Sequence, residues 1–286
     1  MTGRPAFWLW AVACALGAYT TVVTLAPQAG VFSVAAVLAM IVLSPLLLLG
    51  FWLFHRVRPV RANPVGYALM ALAWGGFGAF GVALVANPAF LSLIGKTMGL
   101  TFADRWGDAI AAPVNEELAK SAGVALLALA KPRPPRLITG PLAGFGYGAL
   151  IGLGFQIVED FLYVFNTITA AGGVQEVTDT LSSLFVRVVL SAWWSHWAMT
   201  AVAGAGLGYA LGRTDLRAGR RALVGAAGVL LAMAMHAWWD SPALPGAFLT
   251  KGVPLLLVAA AVYLLARHDE RTRLRVPAGA GIRQAT

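Results

Sequence analysis

Charge is what this sequence has least of. Only 12% of its 286 residues are charged, against 59% hydrophobic, where a soluble domain carries roughly 25% charged residues. With a mean hydropathy of +0.76, this deficit excludes an ordinary soluble enzyme and predicts an all-α, polytopic integral membrane protein. Cysteine is nearly absent. The single Cys14 excludes an intrachain disulfide and any cysteine-based metal centre, and it reads as a small packing residue. No His-Glu-x-x-His occurs, so the usual zinc-protease helix is missing. No serine lies in a nucleophile motif, and Ser195 falls on a different helix face from its neighbour His196. Gly144-x-Gly146 follows no strand signal, so it carries no nucleotide-binding reading. Neither a soluble domain nor an internal repeat is evident.

What the chain does have is long apolar runs. A run of about 20 residues suffices to span a bilayer. The predicted spans are Phe7 to Ala26, Val31 to Phe54 (with a possible kink site at Pro45), Val65 to Ala86, and then about 106–130, 137–166, 183–211, 222–239 and 252–266. Asn87-Pro88 reads as the end of the third. Residues 89–104, broken by Gly95, Lys96 and Gly99, read as an interfacial or re-entrant segment that could act as a lid. Glycine is abundant, and two ladders recur every four residues: Gly144, Gly148, Gly152 on the fifth span and Gly204, Gly208, Gly212 on the sixth. Such small-residue faces let helices approach closely in lipid.

Basic residues fix an orientation. With the N-terminus inside, the cytoplasmic segments hold Arg4; Arg56, Arg58, Arg61; Lys131, Arg133, Arg136; Arg213, Arg217, Arg220, Arg221; and Arg267, Arg271, Arg273, Arg275, Arg283. The opposite side holds only Lys96, Arg105 and Lys251. This bias predicts both termini in the cytoplasm of a multi-pass plasma-membrane protein. It also assigns the net charge of +9 to topology and to anionic lipids of the inner leaflet rather than to nucleic acid.

Against this apolar background stands Asn115-Glu116-Glu117-Leu118-Ala119-Lys120. Each such charge at a helix centre costs ~2.5–3.5 kcal/mol on insertion scales, so the cluster needs a compensating role. The other ionisable residues inside spans are Glu159, Asp160, Arg187, His196 and His236, with Asp240 at a span end. All fall on the fourth to seventh spans. At ~1.5 Å per residue, Glu116 lies roughly 15 Å, Glu159 roughly 10 Å and His236 roughly 6 Å from the outer end, with His196 near the middle. Antiparallel threading thus gathers them in the outer half of the membrane. Locally, Glu116 and Lys120 share a helix face, as do Phe155, Glu159 and Tyr163, and as do His236 and Asp240, which suits Asp240 to orient the imidazole. Arg187 is out of phase with His196 and is expected to contact another helix or the polar rim. Asp160 and the tryptophans at 193, 194, 197, 238 and 239 read as structural.

Glutamates and histidines together are a set for activating water. In one reading Glu159, His196 and His236 hold zinc or another divalent metal, and Glu116 is the general base. In the other no metal is used; Glu116 activates water directly and His236 donates to the oxyanion. Glu117, Lys120, Arg187 and Asp240 complete the catalytic set in both.

The order Glu116-Glu117-x-x-Lys120, Phe155-x-x-x-Glu159-x-x-x-Tyr163, Arg187 with His196, and His236-x-x-x-Asp240 resembles the PrsW-type intramembrane proteases, relatives of the CAAX prenyl and bacteriocin-processing membrane proteases. The prenyl-protease relatives carry His where this chain has Glu159. The resemblance implies an intramembrane endopeptidase acting on a single-span membrane protein near the outer face, such as an anti-sigma factor. It divides the chain into supporting helices and an interfacial segment (1–105), a protease core (106–240), and a last helix with a basic tail (241–286). The alternatives are a proton-coupled transporter, disfavoured by the apolar inner halves of the core spans, and a non-catalytic scaffold.

Overall fold

The computed structural model describes residues 3–131, 136–243 and 248–275. The expected basic positions Arg133 and Arg283 lie outside these residues. The described chain is all-α, a polytopic membrane protein of packed helices. We number the main elements α1 (Pro5–Val31), α2 (Ser33–His55), α3 (Val65–Met98), α4 (Leu100–Trp106), α5 (Asp108–Ala130), α6 (Pro141–Ala170), α7 (Glu176–Leu184), α8 (His196–Gly212), α9 (Ala218–Asp240) and α10 (Phe248–Arg275).

The outer helices are apolar all round and bury only a narrow stripe. On α1 that stripe is Cys14, Gly17 and Thr21; on α2 it is Ala35, Ala39 and Leu43 with Phe54 at the end. The remaining apolar surface is what lipid would cover. α6 is the opposite case. It is buried along almost its whole length, and the other helices are arranged around it.

Glycine sets the spacing at the centre. A Cβ on Gly144 would run into the Gly204 carbonyl, one on Gly148 into the Thr200 carbonyl, and one on Gly152 into the His196 carbonyl. The two glycine ladders therefore interlock, and α6 and α8 meet backbone to backbone. A third close approach comes from α3, where Trp74–Ala79 forms a π-helical turn containing Gly75, Gly76 and Gly78. Gly75 abuts the Ile151 carbonyl of α6, and Gly17 of α1 abuts the Phe77 carbonyl.

Three sequence expectations need correction. The third helix does not stop at Asn87-Pro88 but continues through Pro88 to Met98. A proline frees one carbonyl in the turn before it, and helices in a membrane bundle accommodate that loss. The chain turns instead at Gly99, whose φ of +94° favours glycine. Residues 89–104 are therefore the end of α3 and most of α4, rather than a separate interfacial segment. The sixth span is not one helix either. It consists of α7, a π-helical turn (Phe185–Leu190), a 3-10 turn (Ala192–Trp194) and α8. Ser191 Oγ donates to the Val186 and Arg187 carbonyls (2.9 and 3.0 Å), and Trp197 Nε1 donates to the Ala192 carbonyl (2.8 Å). These bonds close the break locally. By length and composition alone, six helices among the described residues qualify to cross a membrane; the other two of the eight expected spans correspond to α5 and to α7 with α8, which this criterion does not count. α5 falls short because it carries Glu116, Glu117 and Lys120, and α8 because it has only 17 residues.

The two ends of the bundle differ. At one end the residues after α2, the start of α6 and the last turns of α10 meet: Arg273 donates to the Thr139 carbonyl (2.9 Å), and Arg213 pairs with Asp269. At the other, Glu176 accepts a hydrogen bond from the Ala35 amide (2.8 Å). The buried ionisable residues lie between these ends, where α5, α6, α8 and α9 converge.

Candidate active site

α5 presents Glu116, Glu117 and Lys120 to the bundle interior, all at 2% exposure or less. The spacing alone forces this, since residues three and four apart share a helix face. Lys120 Nζ lies 2.7 Å from Glu117 Oε1 and 3.2 Å from Glu116 Oε2. It also lies 4.0 Å from the centre of the Phe155 ring and 2.9 Å from His196 Nδ1. An ammonium has only donors, so His196 Nδ1 is the acceptor and Nε2 carries the proton. Nε2 then donates to Glu159 Oε2 at 2.7 Å.

Glu159 is shared. The same Oε2 accepts from Arg187 at 2.6 Å, while Arg187 Nε donates to Asp160 Oδ1 at 2.5 Å. The guanidinium stacks over Tyr163, 4.2 Å from the ring centre. Of the two expected alternatives, another helix or the polar rim, Arg187 takes the first, and it clamps two neighbouring carboxylates of α6. On the far side, α9 supplies His236. Its Nδ1 is 3.1 Å from Glu117 Oε1, and its Nε2 is 3.3 Å from Asp240 Oδ2 and 3.8 Å from Glu116 Oε2. The two imidazoles meet edge to face at 5.0 Å. Thr200 Oγ1 donates to Glu117 Oε2 at 3.3 Å.

The structure therefore brings Glu116, Glu117, Lys120, Glu159, Arg187, His196, His236 and Asp240 into one continuous network. It also adds a residue that the sequence reading missed. Asn87 of α3 donates to Glu116 Oε1 at 2.8 Å, and its own Oδ1 accepts from Asn115 at 3.2 Å. The signal was present, a carboxamide within an apolar run. Beside Pro88 it read as a helix stop.

The two adjacent glutamates have different surroundings. Glu117 has partners on both oxygens. Glu116 Oε1 is held by Asn87, but Glu116 Oε2 is buried and accepts no hydrogen bond, its nearest cation being Lys120 Nζ at 3.2 Å. It sits 3.8 Å from both His196 Nδ1 and His236 Nε2. Glu116 also lines a cavity of about 140 Å³ together with Asn87, Phe80, Phe155, Glu159 and Leu162, room enough for water.

The donor set suits a divalent metal. Glu116, His196 and His236 each offer one ligand atom, all within 4.8 Å of one another, and carboxylate with imidazole is a usual zinc combination. Charge points the same way, since among the described residues Glu116, Glu117, Glu159, Asp160 and Asp240 face two permanent cations, Lys120 and Arg187. Such an excess must be met by protons or by a metal. The grouping differs from the expected Glu159–His196–His236 set. Glu159 bonds His196 on the nitrogen away from Glu116, where a carboxylate orients a liganding imidazole. Lys120 is the competing cation, because it now occupies the His196 Nδ1 lone pair.

Residues 63–266 match the model of a family described as PrsW family intramembrane metalloprotease. No curated protein and no solved structure matches.

Proposed function

The chain belongs to the PrsW family of intramembrane metalloproteases, and on that premise we propose that it hydrolyses a peptide bond of a membrane-anchored protein with Glu116 as the group that takes the proton from water. One observation carries this reading: Glu116 Oε2 is buried, accepts no hydrogen bond although Lys120 Nζ lies 3.2 Å away as a counter-charge, and faces both histidines beside a small cavity. Glu116 Oε2 accepts a proton from water in that cavity while the oxygen adds to the scissile carbonyl carbon. His236 Nε2–H, which points to Asp240 Oδ2 in the resting site, turns to donate to the developing oxyanion, and Glu116 returns the proton to the leaving amide nitrogen as the C–N bond breaks. Asn87 holds Glu116 Oε1 and so aims Oε2. Lys120 offsets the charge of Glu117, and Asp240 and Glu117 fix the ring of His236.

In the alternative reading Glu116, His196 and His236 would hold a divalent ion such as zinc, which supplies Lewis-acid activation of water and of the carbonyl when bound, and Glu116 and His236 would then act as ligands rather than as base and donor. In that case Glu159 orients His196 through Nε2. The substrate in this reading is a single-span membrane protein, and the family resemblance makes an anti-sigma factor the first candidate. The excess of Arg and Lys at the end holding Arg56, Arg213 and Arg267 supports placing that end, and both termini, in the cytoplasm of the plasma membrane. Cleavage would then fall toward the outer face.

The test is cleavage of single-span reporter proteins by the purified protein in liposomes. Glu116→Gln keeps the shape and removes the base, and it should lower the rate by about 10²–10⁴-fold. Undiminished cleavage by this variant would refute the assignment.

A further inference from the structure

At the end of the bundle away from the candidate active site, α2, α6 and α10 enclose a cleft of about 670 Å³. Its rim carries Arg56, Arg58, Arg267 and Arg271, with Glu270 as the one acid. Below the rim the walls are apolar and aromatic, including Phe54, Phe145, Trp197 and Tyr263. Leu53, Phe54 and Trp197 also line a second, apolar cavity of about 330 Å³, walled chiefly by α2 and α6. The cleft is cationic at its mouth and apolar and aromatic along its walls, and a second apolar cavity adjoins it at Leu53, Phe54 and Trp197.

The arginines of this rim are unlike their neighbours. At the same end Arg213 pairs with Asp215 and Asp269, and Arg273 pairs with Asp269. None of the four rim arginines makes an ion pair among the described residues. Arg56 instead stacks over Trp52, 4.5 Å from its ring centre, a residue type that marks the headgroup level of a bilayer. Positive-inside topology alone would scatter basic residues over the loops. Here four of them converge from two stretches of the chain, more than 200 residues apart in sequence, onto the mouth of an apolar cleft.

We propose that this groove is a binding site for one anionic phospholipid, its phosphate held by Arg56, Arg58, Arg267 and Arg271 and an acyl chain lying against Phe54, Phe145 and Trp197. Guanidinium groups bind phosphate oxygens through paired, charge-assisted hydrogen bonds, and basic pockets between transmembrane helices are a recurrent setting for anionic headgroups. A free phosphate would use the rim only. The apolar length of the groove selects a ligand with a hydrocarbon tail.

The experiment is native mass spectrometry of the full-length protein in detergent micelles doped with phosphatidylglycerol or phosphatidylcholine. The intact protein should retain one phosphatidylglycerol in preference to phosphatidylcholine. The double variant Arg56→Gln/Arg271→Gln should weaken that retention by about tenfold or more. Arg217→Gln/Arg220→Gln, which removes the same charge at the same end outside the groove, should leave it unchanged. Ala260→Trp fills the apolar wall while keeping the arginines, and it should also lose the lipid. Equal loss in both double variants would reduce the effect to general electrostatics and overturn the proposal. So would displacement of the lipid by excess inorganic phosphate, tighter binding of an acidic peptide than of phosphatidylglycerol, or full retention in Ala260→Trp.

Discussion

Gly152→Ala adds one methyl group about 10 Å along α6 from Glu159, yet it should nearly silence the enzyme. The added Cβ would collide with the His196 carbonyl and lie 2.6 Å from the Trp197 Cα. These are backbone atoms of a second helix, and they have no rotamer with which to move aside. Restoring ordinary contact at about 3.4 Å from the His196 carbonyl, 2.4 Å away, requires α8 to shift by roughly 1 Å at its first turn. That turn carries His196, whose bonds to Glu159 and Lys120 are 2.7 and 2.9 Å long. A shift of that size takes both beyond hydrogen-bonding range. Overpacking of this kind costs about 1–3 kcal/mol, and a displacement near 1 Å at a catalytic group costs about 10²-fold in rate. The assay is kcat/KM on a single-span substrate in liposomes, with thermal unfolding measured on the same samples. Two other glycines provide the scale. Gly50→Ala meets only the side-chain methyl groups of Leu153, and Gly66→Ala meets nothing within 4 Å. Helix propensity favours alanine by about 0.8–1.0 kcal/mol, so Gly66→Ala should be neutral or slightly stabilising, with Gly50→Ala in between. Full activity in Gly152→Ala would refute the claim that backbone contact between α6 and α8 holds His196 in place.

Three further outcomes follow from the same network. Asn87→Ala removes a hydrogen bond to a carboxylate worth about 1.5–3 kcal/mol; kcat should fall about 10–100-fold with KM little changed, and a pure KM effect would contradict a positioning role. Metal content measured by plasma mass spectrometry should fall sharply in His196→Ala and His236→Ala, while Glu159→Ala should weaken affinity by only about 10–100-fold; equal content in all three would place the metal elsewhere or exclude its binding at these histidines. Arg187→Ala strands Asp160 and Glu159 without their shared cation and should destabilise the protein by about 3–5 kcal/mol. Asp160→Asn added to Arg187→Ala should recover part of that loss, and no recovery would show that the clamp on Asp160 contributes little.

Much of the site was legible because it is local. Glu116 with Lys120, Phe155 with Glu159, and His236 with Asp240 are each one helical turn apart, and helical phase alone places them together. The interlocking ladders of Gly144–Gly152 and Gly204–Gly212 were legible for the same reason. What could not be read was the relation between helices. Both Glu116 and Glu159 lie at suitable depth to join the histidines. Which one meets the His196–His236 pair depends on how α5 and α6 are rotated about their axes, and that is set by packing at glycines such as Gly123 and Gly75. Asn87 was missed because Asn-Pro is a strong local stop signal, overridden here by the packing of α3 against α5 and α1. The break at Ser191–Ser195 was hidden because its residues, among them Ala192, Trp193 and Trp194, are as apolar as any span.

That break has an electrostatic result. By interrupting the sixth crossing, Ser191–Ser195 makes His196 the first residue of α8, so a helix begins inside the protein among carboxylates. The aligned peptide dipoles of such a helix place roughly half a positive charge at its start. The cluster around Glu116 and Glu159 is therefore met by a third source of positive potential, besides Lys120 and Arg187, that resides in the backbone. It persists at every pH and survives any side-chain replacement that leaves the helix intact. Alanine scanning of this protein would register the lysine and the arginine and pass over the helix start entirely.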